Sequence, residues 1–242
     1  MRADNLVEAN EFLKTIYKKD LFSFAKHCLG YKDMTWETHG PICEALQADT
    51  KRKLVCVPRS TFKSSLCTIA YPIWRLIQEP NLRVLLDSEL YSNSKNFLRE
   101  IKAHLASKDF IEIFGNWKTR TWNEGEIIIA PRTRPLKEAS IACSGIGAEK
   151  TSTHWDEIIG DDLSTTQSVN TPELAQKVID HYRLYTSLLE PDGTIVLVGT
   201  RYSERDIIGF IIENELGCKS LNDLRAKLSD GVGEIDIMEG MK

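Results

Sequence analysis

The sequence predicts an α/β fold, with a mostly parallel central sheet flanked by helices and preceded by an N-terminal helical segment. Three features carry this expectation. First, short apolar runs of strand length, "KLVCV" (53–57), "LRVLLDS" (82–88), "HWDEIIGDDL" (154–163) and "TIVLVGT" (194–200), alternate with stretches of helical period. Second, the runs are apolar at successive positions, as strands covered on both faces must be. Third, polar residues able to do chemistry follow the runs directly, where parallel sheets gather their ligands.

The elements follow in chain order. Residues 5–29 place Leu6, Phe12, Leu13, Ile16, Tyr17, Leu21, Phe24 and Ala25 near helical spacing, giving one or two amphipathic helices. Thr35 opens a helix to about Ala48 that carries Glu37 and Glu44. The strand at 53–57 runs straight into a loop, and a helix starts near Lys63 and continues to Gln78. Pro72 is expected to kink or shorten it. The strand at 82–88 precedes a helix over 91–107 with Phe97, Leu98, Ile101 and Leu105 on one face. "EIIIAP" (126–131) and "ASIACSG" (139–145) read as paired strands joined by the basic turn "RTRPLK". Pro172 suits the first turn of a helix over 172–189. "PDG" reads as a turn before the last strand, and helices follow at about 205–216 and 219–229. The acidic, glycine-containing end reads as a linker or tail.

Composition narrows the function. With 242 residues, 42% hydrophobic and 27% charged, the chain suits one large domain or a domain with a small satellite. A net charge of −4 argues against DNA held over the whole surface, so any nucleic-acid contact is expected to be local or to belong to an assembly. The six cysteines contain no CxxC pair and suit reduced thiols in a cytosol. His27, Cys28, His39 and Cys43 lie close in sequence, but their spacing fits no common zinc site. No apolar run approaches the ~18 residues that span a bilayer.

Three strand ends carry the chemistry. After the first strand, Val57-Pro58-Arg59-Ser60-Thr61-Phe62-Lys63-Ser64 matches the phosphate-loop pattern GxxxxGK[ST] only in its Lys-Ser. Both glycine positions are filled, by Val57 and Phe62. A strand, a loop of suitable length and a Lys-Ser opening a helix remain, so Lys63 can reach β and γ phosphates and Ser64 can bind Mg²⁺. The same residues also read as a surface turn with a basic cap. At the second end, Asp161 and Asp162 suit the metal-shell acid and the water-orienting acid of an ATPase. They also read as an acidic cap. A third reading is a two-metal nuclease built from Asp156, Glu157, Asp161 and Asp162, although strand geometry sets Asp156 and Asp162 far apart. At the third end, Gly199-Thr200-Arg201 brings a hydroxyl and a guanidinium to the same edge.

Taken together, "VPRSTFKSS", "RVLLDSELYSNSKNFLREIKAHL", "ASIACSGIGAEKTSTHWDEIIGDDL" and "GTIVLVGTRYSERDIIG", over roughly residues 36–212, resemble the ATPase domain of the large terminase subunit of tailed bacteriophages. The resemblance implies a P-loop NTPase fold of the ASCE type over 36–216, a helical segment over 1–35, and a C-terminal helix and linker over 217–242. The linker would lead towards a nuclease domain for which the chain leaves no room. It implies an ATP- and Mg²⁺-dependent motor in the host cytoplasm, with no membrane partner. Such a motor moves double-stranded DNA into a procapsid as a homo-oligomeric ring, with the portal protein and the small terminase subunit as partners. By matching position, Pro58, Arg59, Ser60, Thr61, Phe62, Lys63, Ser64 and Ser65 form the nucleotide cradle, with Ser64 and Asp161 on the metal. Arg59, Lys63, Asp162 and Thr200 form the catalytic set; Asp162 stands where the family usually has Glu. Upstream, Tyr31, Trp36 and His39 are candidates for adenine. Arg132, Arg134 and, more weakly, Lys150 are candidates for an arginine-finger-like cation offered to a neighbour. A metal-dependent nuclease and a nucleotide-free docking module with a decayed loop are the competing readings.

Overall fold

The computed structural model describes residues 2–148 and 152–229. Its centre is a six-stranded sheet in the order β1-β6-β5-β2-β4-β3. The strands are β1 (Arg52–Cys56), β2 (Val84–Ser88), β3 (Glu126–Ile127), β4 (Ile141–Cys143), β5 (Trp155–Asp161) and β6 (Leu189–Gly199). All pairings are parallel except β3 with β4. The register sets Cys56 beside Gly199, Val198 beside Asp161, and Asp161 beside Ser88. The C-terminal ends of four strands therefore meet along one edge.

Helices cover both faces. They are α1 (Arg2–Lys19), α2 (Leu21–Ser23), α3 (Trp36–Gln47), α4 (Tyr71–Gln78), α5 (Tyr91–Leu105), α6 (Lys108–Phe114), α7 (Pro172–Leu188), α8 (Ile207–Asn214) and α9 (Leu221–Ser229). The pleat of β6 sends Val196 and Val198 to one face and Ile195 and Leu197 to the other. On the first face these pack with residues of α1 to α6, such as Tyr17, Leu46, Ile73, Leu98 and Phe110. On the second they meet Tyr182, Tyr185, Ile208 and Ile211 of α7 and α8. The N-terminal helices thus share the sheet's own core; the Trp74 indole N–H donates to Tyr17 O at 2.9 Å.

Thr35 occupies the N-cap position of α3, as its place before an amphipathic run predicts. Elsewhere the structure departs from sequence expectation for identifiable reasons. Pro72 does not shorten its helix: the chain stays helical from Lys63 to Gln78. A π-helical stretch, Ser65–Ala70, precedes the proline, and Tyr71 N–H reaches back to Leu66 O. A wider turn at that point accommodates a residue with no N–H to give. "PDG" is not a turn but a bulge within β6. Trp155 pairs with Leu189 and Glu157 with Thr194, so the intervening residues of β6 loop out. The expected strands at 126–131 and 139–145 shrink to Glu126–Ile127 and Ile141–Cys143. An unanticipated helix, α6, starts where the Ser107 hydroxyl accepts from Phe110 N–H at 3.3 Å. The acidic C-terminal stretch from 230 and Lys150 lie outside the described residues.

Candidate functional site

Three segments meet at the C-terminal edge of β1, β6 and β5. After β1 the chain passes through Pro58 and Arg59 into two residues with left-handed backbone, Ser60 at φ 64° and Phe62 at φ 57°. Phe62 stands at the second glycine position of the phosphate-loop pattern. The backbone there has the handedness that glycine would supply, at a cost of roughly 1–2 kcal/mol for a residue with a Cβ. The Phe62 ring packs at 5.7 Å from His39, edge to face, and at 6.1 Å from Tyr31. The Tyr31 hydroxyl in turn lies 3.0 Å from His104 Nε2. The Thr61 hydroxyl closes the turn onto Pro58 O at 2.7 Å.

The helix that starts at Lys63 points its first residues at this edge. Lys63 is buried, its Nζ donates to Thr200 Oγ1, and the same Nζ lies 3.4 Å from Asp162 Oδ1. The Thr200 hydroxyl donates to Val57 O at 3.3 Å, and Thr200 N–H donates to Asp162 Oδ1 at 3.3 Å. Asp162 adopts φ 45°, turning the chain sharply at the end of β5. Arg59 extends over the surface to Tyr202, donating to its hydroxyl at 2.7 Å with its guanidinium 5.4 Å from the ring.

Asp161 lies one residue earlier and is 1% exposed. Its Oδ2 accepts from the Thr68 hydroxyl at 2.6 Å, while its Oδ1 is buried without a hydrogen bond of good geometry, the Ser64 hydroxyl lying near the carboxylate. Burial pushes its pKa up to about 6; the hydroxyls of Thr68 and Ser64 oppose that rise. A buried carboxylate oxygen without a partner, beside the first serine of a helix, fits a hard cation such as Mg²⁺. Ser64 and Asp161 are the residues that would hold it.

The structure brings together Lys63, Ser64, Asp161, Asp162 and Thr200, with Arg59 beside them on Tyr202. Trp36 is about half exposed and packs edge to face on Phe22 at 5.1 Å; Tyr31 and His39 serve as supports for Phe62. Thr68 and Tyr202 were missed in the sequence. Thr68 had a signal: it follows Ser64 by one turn of helix and so shares its face. Gly160 carried none, since its need for a bare Cα is a tertiary close approach: a Cβ there would come within 2.9 Å of Leu197 and 3.1 Å of the Tyr185 hydroxyl.

The nuclease cluster does not assemble. Asp156 and Glu157 sit at the start of β5 and Asp161 and Asp162 at its end, roughly 16 Å apart along an extended strand. Asp156 accepts from Arg83 at 2.8 Å, and Glu157 is paired with Arg75. Among the described residues no group of three or more His, Cys, Asp or Glu could hold a metal ion, which also removes the His27, Cys28, His39 and Cys43 grouping. Cys28 and Cys43 are core residues.

The basic turn lies on the opposite edge of the sheet from Lys63. The N–H groups of Thr133 and Arg134 donate to Asn81 Oδ1, just before β2, at 3.0 and 2.9 Å. Arg134 is exposed. The Arg132 guanidinium nitrogens are buried without a hydrogen-bond partner, and burial together with neighbouring Arg83 lowers its pKa. An arginine finger has to project; Arg132 in this position does not.

Against family models and curated proteins, the chain matches none.

Proposed function

We propose that the chain is an ATP hydrolase of the phosphate-loop class and acts as the motor domain of a viral large terminase. One observation carries the hydrolase reading: Lys63, Asp162 and Thr200 converge at the ends of three neighbouring strands, over the Ser64–Asp161 pair. The strand order supports it. With β6 between β1 and β5, the loop strand and the acid strand stand about 10 Å apart, room for phosphates and a water between Lys63 and the acids. The left-handed backbone at Ser60 and Phe62 supports it as well, because the loop keeps a glycine-like path without glycine.

The residues divide the work as follows. Backbone N–H groups at the helix start and the Lys63 ammonium bind the β and γ phosphates. Asp162 accepts the proton of the water that attacks the γ phosphorus, the bond to the β-phosphate oxygen breaks, and ADP and phosphate leave. Mg²⁺, when bound, supplies charge neutralisation on the phosphate oxygens. The Thr200 hydroxyl, which already touches Lys63, senses whether phosphate is present. Movement of double-stranded DNA by a ring, with a portal and a small subunit, rests on the terminase resemblance of the four segments.

Titration of the chain with Mg²⁺ and a non-hydrolysable ATP analogue tests this. Binding is expected in the wild type, with most but not all of its affinity removed in Lys63→Ala; absence of binding to the wild type overturns it. One observation favours the docking-module reading, namely that Lys63 is already satisfied inside the protein. That reading predicts no nucleotide binding under any condition.

A further inference from the structure

The Lys63 amine, which the loop should offer to phosphate, is held by two groups of the protein itself. Thr200 Oγ1 accepts one of its hydrogens, and Asp162 Oδ1 lies 3.4 Å away. Asp162 is fixed for this contact from two sides. Its left-handed backbone, φ 45°, aims the side chain back over the sheet edge, and Thr200 N–H donates to the same Oδ1 at 3.3 Å. The lysine side chain is only 7% exposed and the aspartate 34%, so the lysine end of the pair has little water to turn to while the carboxylate end stays partly solvated.

We infer that Asp162 has a second task besides proton acceptance, which is to hold Lys63 in the nucleotide-free loop, so that phosphate must displace the carboxylate before the site is complete. This rests on the reading of the loop as a phosphate site. Its chemical logic is an exchange. Lys63 leaves one anion for another, and the released Asp162 becomes an unpaired carboxylate only when a γ phosphate is there to be hydrolysed. Asp162 is thus a positioning residue for Lys63 in the empty state as well as the base in the loaded one.

The contact reduces affinity, because nucleotide binds only the fraction of molecules in which Lys63 is free. Asp162→Asn should tighten binding of a fluorescent Mg²⁺–ATP analogue by about fivefold, the scale of an ion pair worth about 1 kcal/mol. Removing any negative charge near the phosphates would also tighten binding, so the same change is made in a Lys63→Met background. Release of Lys63 requires that the gain disappear there; an equal gain in both backgrounds is plain charge repulsion and overturns the inference. A second measurement needs no nucleotide. In chain with labelled lysine side chains, the Lys63 Hε–Cε NMR signals should move in Asp162→Asn and in Thr200→Val. Unmoved signals overturn the inference even if nucleotide binds normally. Moved signals without nucleotide binding support the contact and instead sink the hydrolase reading.

Discussion

The two edges of the sheet use the same residue types in opposite ways. At the N-terminal edge every acid of β5 is matched: Asp156 lies on Arg83, which also reaches Glu138 and Glu190, and Glu157 lies on Arg75. At the C-terminal edge Asp161 keeps one buried oxygen without a partner, Asp162 shares a single oxygen between Lys63 and Thr200, and Ser60, Phe62 and Asp162 carry left-handed backbone. The first edge holds the strands in register. The second concentrates left-handed backbone, a strain that persists only where the surrounding fold enforces it and that a ligand can relieve. Buried polar atoms without a partner occur at both edges, Glu157 Oε2 and the Arg132 guanidinium at the first and Asp161 Oδ1 at the second. Acid content alone does not separate the two edges.

Arg75→Ala is expected to give the largest effect. It leaves Glu157, 1% exposed and already with one unpartnered oxygen, without its cation inside the protein. Burial already raises the Glu157 pKa, and Arg75 is the main group opposing that rise. A loss of about 3–5 kcal/mol in urea unfolding is the scale for a broken buried pair. A loss under about 1 kcal/mol would mean the N-terminal edge is no more structural than the other.

Asp162→Asn carries the opposite signature. Turnover should fall by about 10² or more, roughly 2.7 kcal/mol in the barrier, while stability in urea falls by no more than the about 1 kcal/mol of the pair with Lys63. Loss of stability without selective loss of turnover would move Asp162 into the structural class.

These contrasts explain what could be read in advance. Strands of continuous apolar residues, such as 84–88, declare burial on both faces, so the parallel sheet and the edge that collects its ligands were legible. That Lys63, Ser64 and the Asp161–Asp162 pair would meet at one edge was legible because each lies at, or one short loop beyond, the C-terminal end of a strand. The roles of Asp156 and Glu157 were not, since their partners Arg83 and Arg75 are more than 70 residues away in sequence. Nor was the basic turn legible as an N-terminal-edge feature, because only the register of β4 on β2 places it there. Pro72 and "PDG" misled because local propensity gave way to tertiary structure: a π turn in one case, a bulge against β5 in the other.

Asp161→Asn sharpens the comparison with a change of sign. A buried carboxylate whose pKa is raised from 3.8 to about 6 binds its proton more tightly in the folded chain than in the unfolded one. Folding is therefore favoured at low pH and loses stability as pH rises from about 4 through 6. Asn removes the ionisation, so the nucleotide-free variant should be more stable than wild type by about 3 kcal/mol at pH 7 and close to it near pH 4. Wild-type binding of the Mg²⁺–nucleotide, which needs the carboxylate, should weaken by about tenfold per pH unit below 6 and be flat above. Destabilisation by Asn at pH 7 would show that the unpartnered oxygen is not a strained ligand.

Phe62 offers the smallest effect and the most specific one. In most of a protein, replacing Gly by Ala stabilises, because Ala restricts the unfolded chain. Phe62 sits at φ 57°, where any Cβ is strained and glycine is not. Both Phe62→Ala and Phe62→Gly lose the packing on Tyr31 and His39, so that loss cancels when the two variants are compared. What remains is the backbone term, and Gly should be the more stable of the two by about 1 kcal/mol. The ordinary order, Ala above Gly, in a thermal or urea series would show that the loop does not hold the left-handed turn in solution. The phosphate cradle would then lack the backbone path on which its reading depends. With the expected order, Phe62→Gly should also bind Mg²⁺–nucleotide more tightly than Phe62→Ala, because the turn that aims the following N–H groups at the phosphates forms without strain.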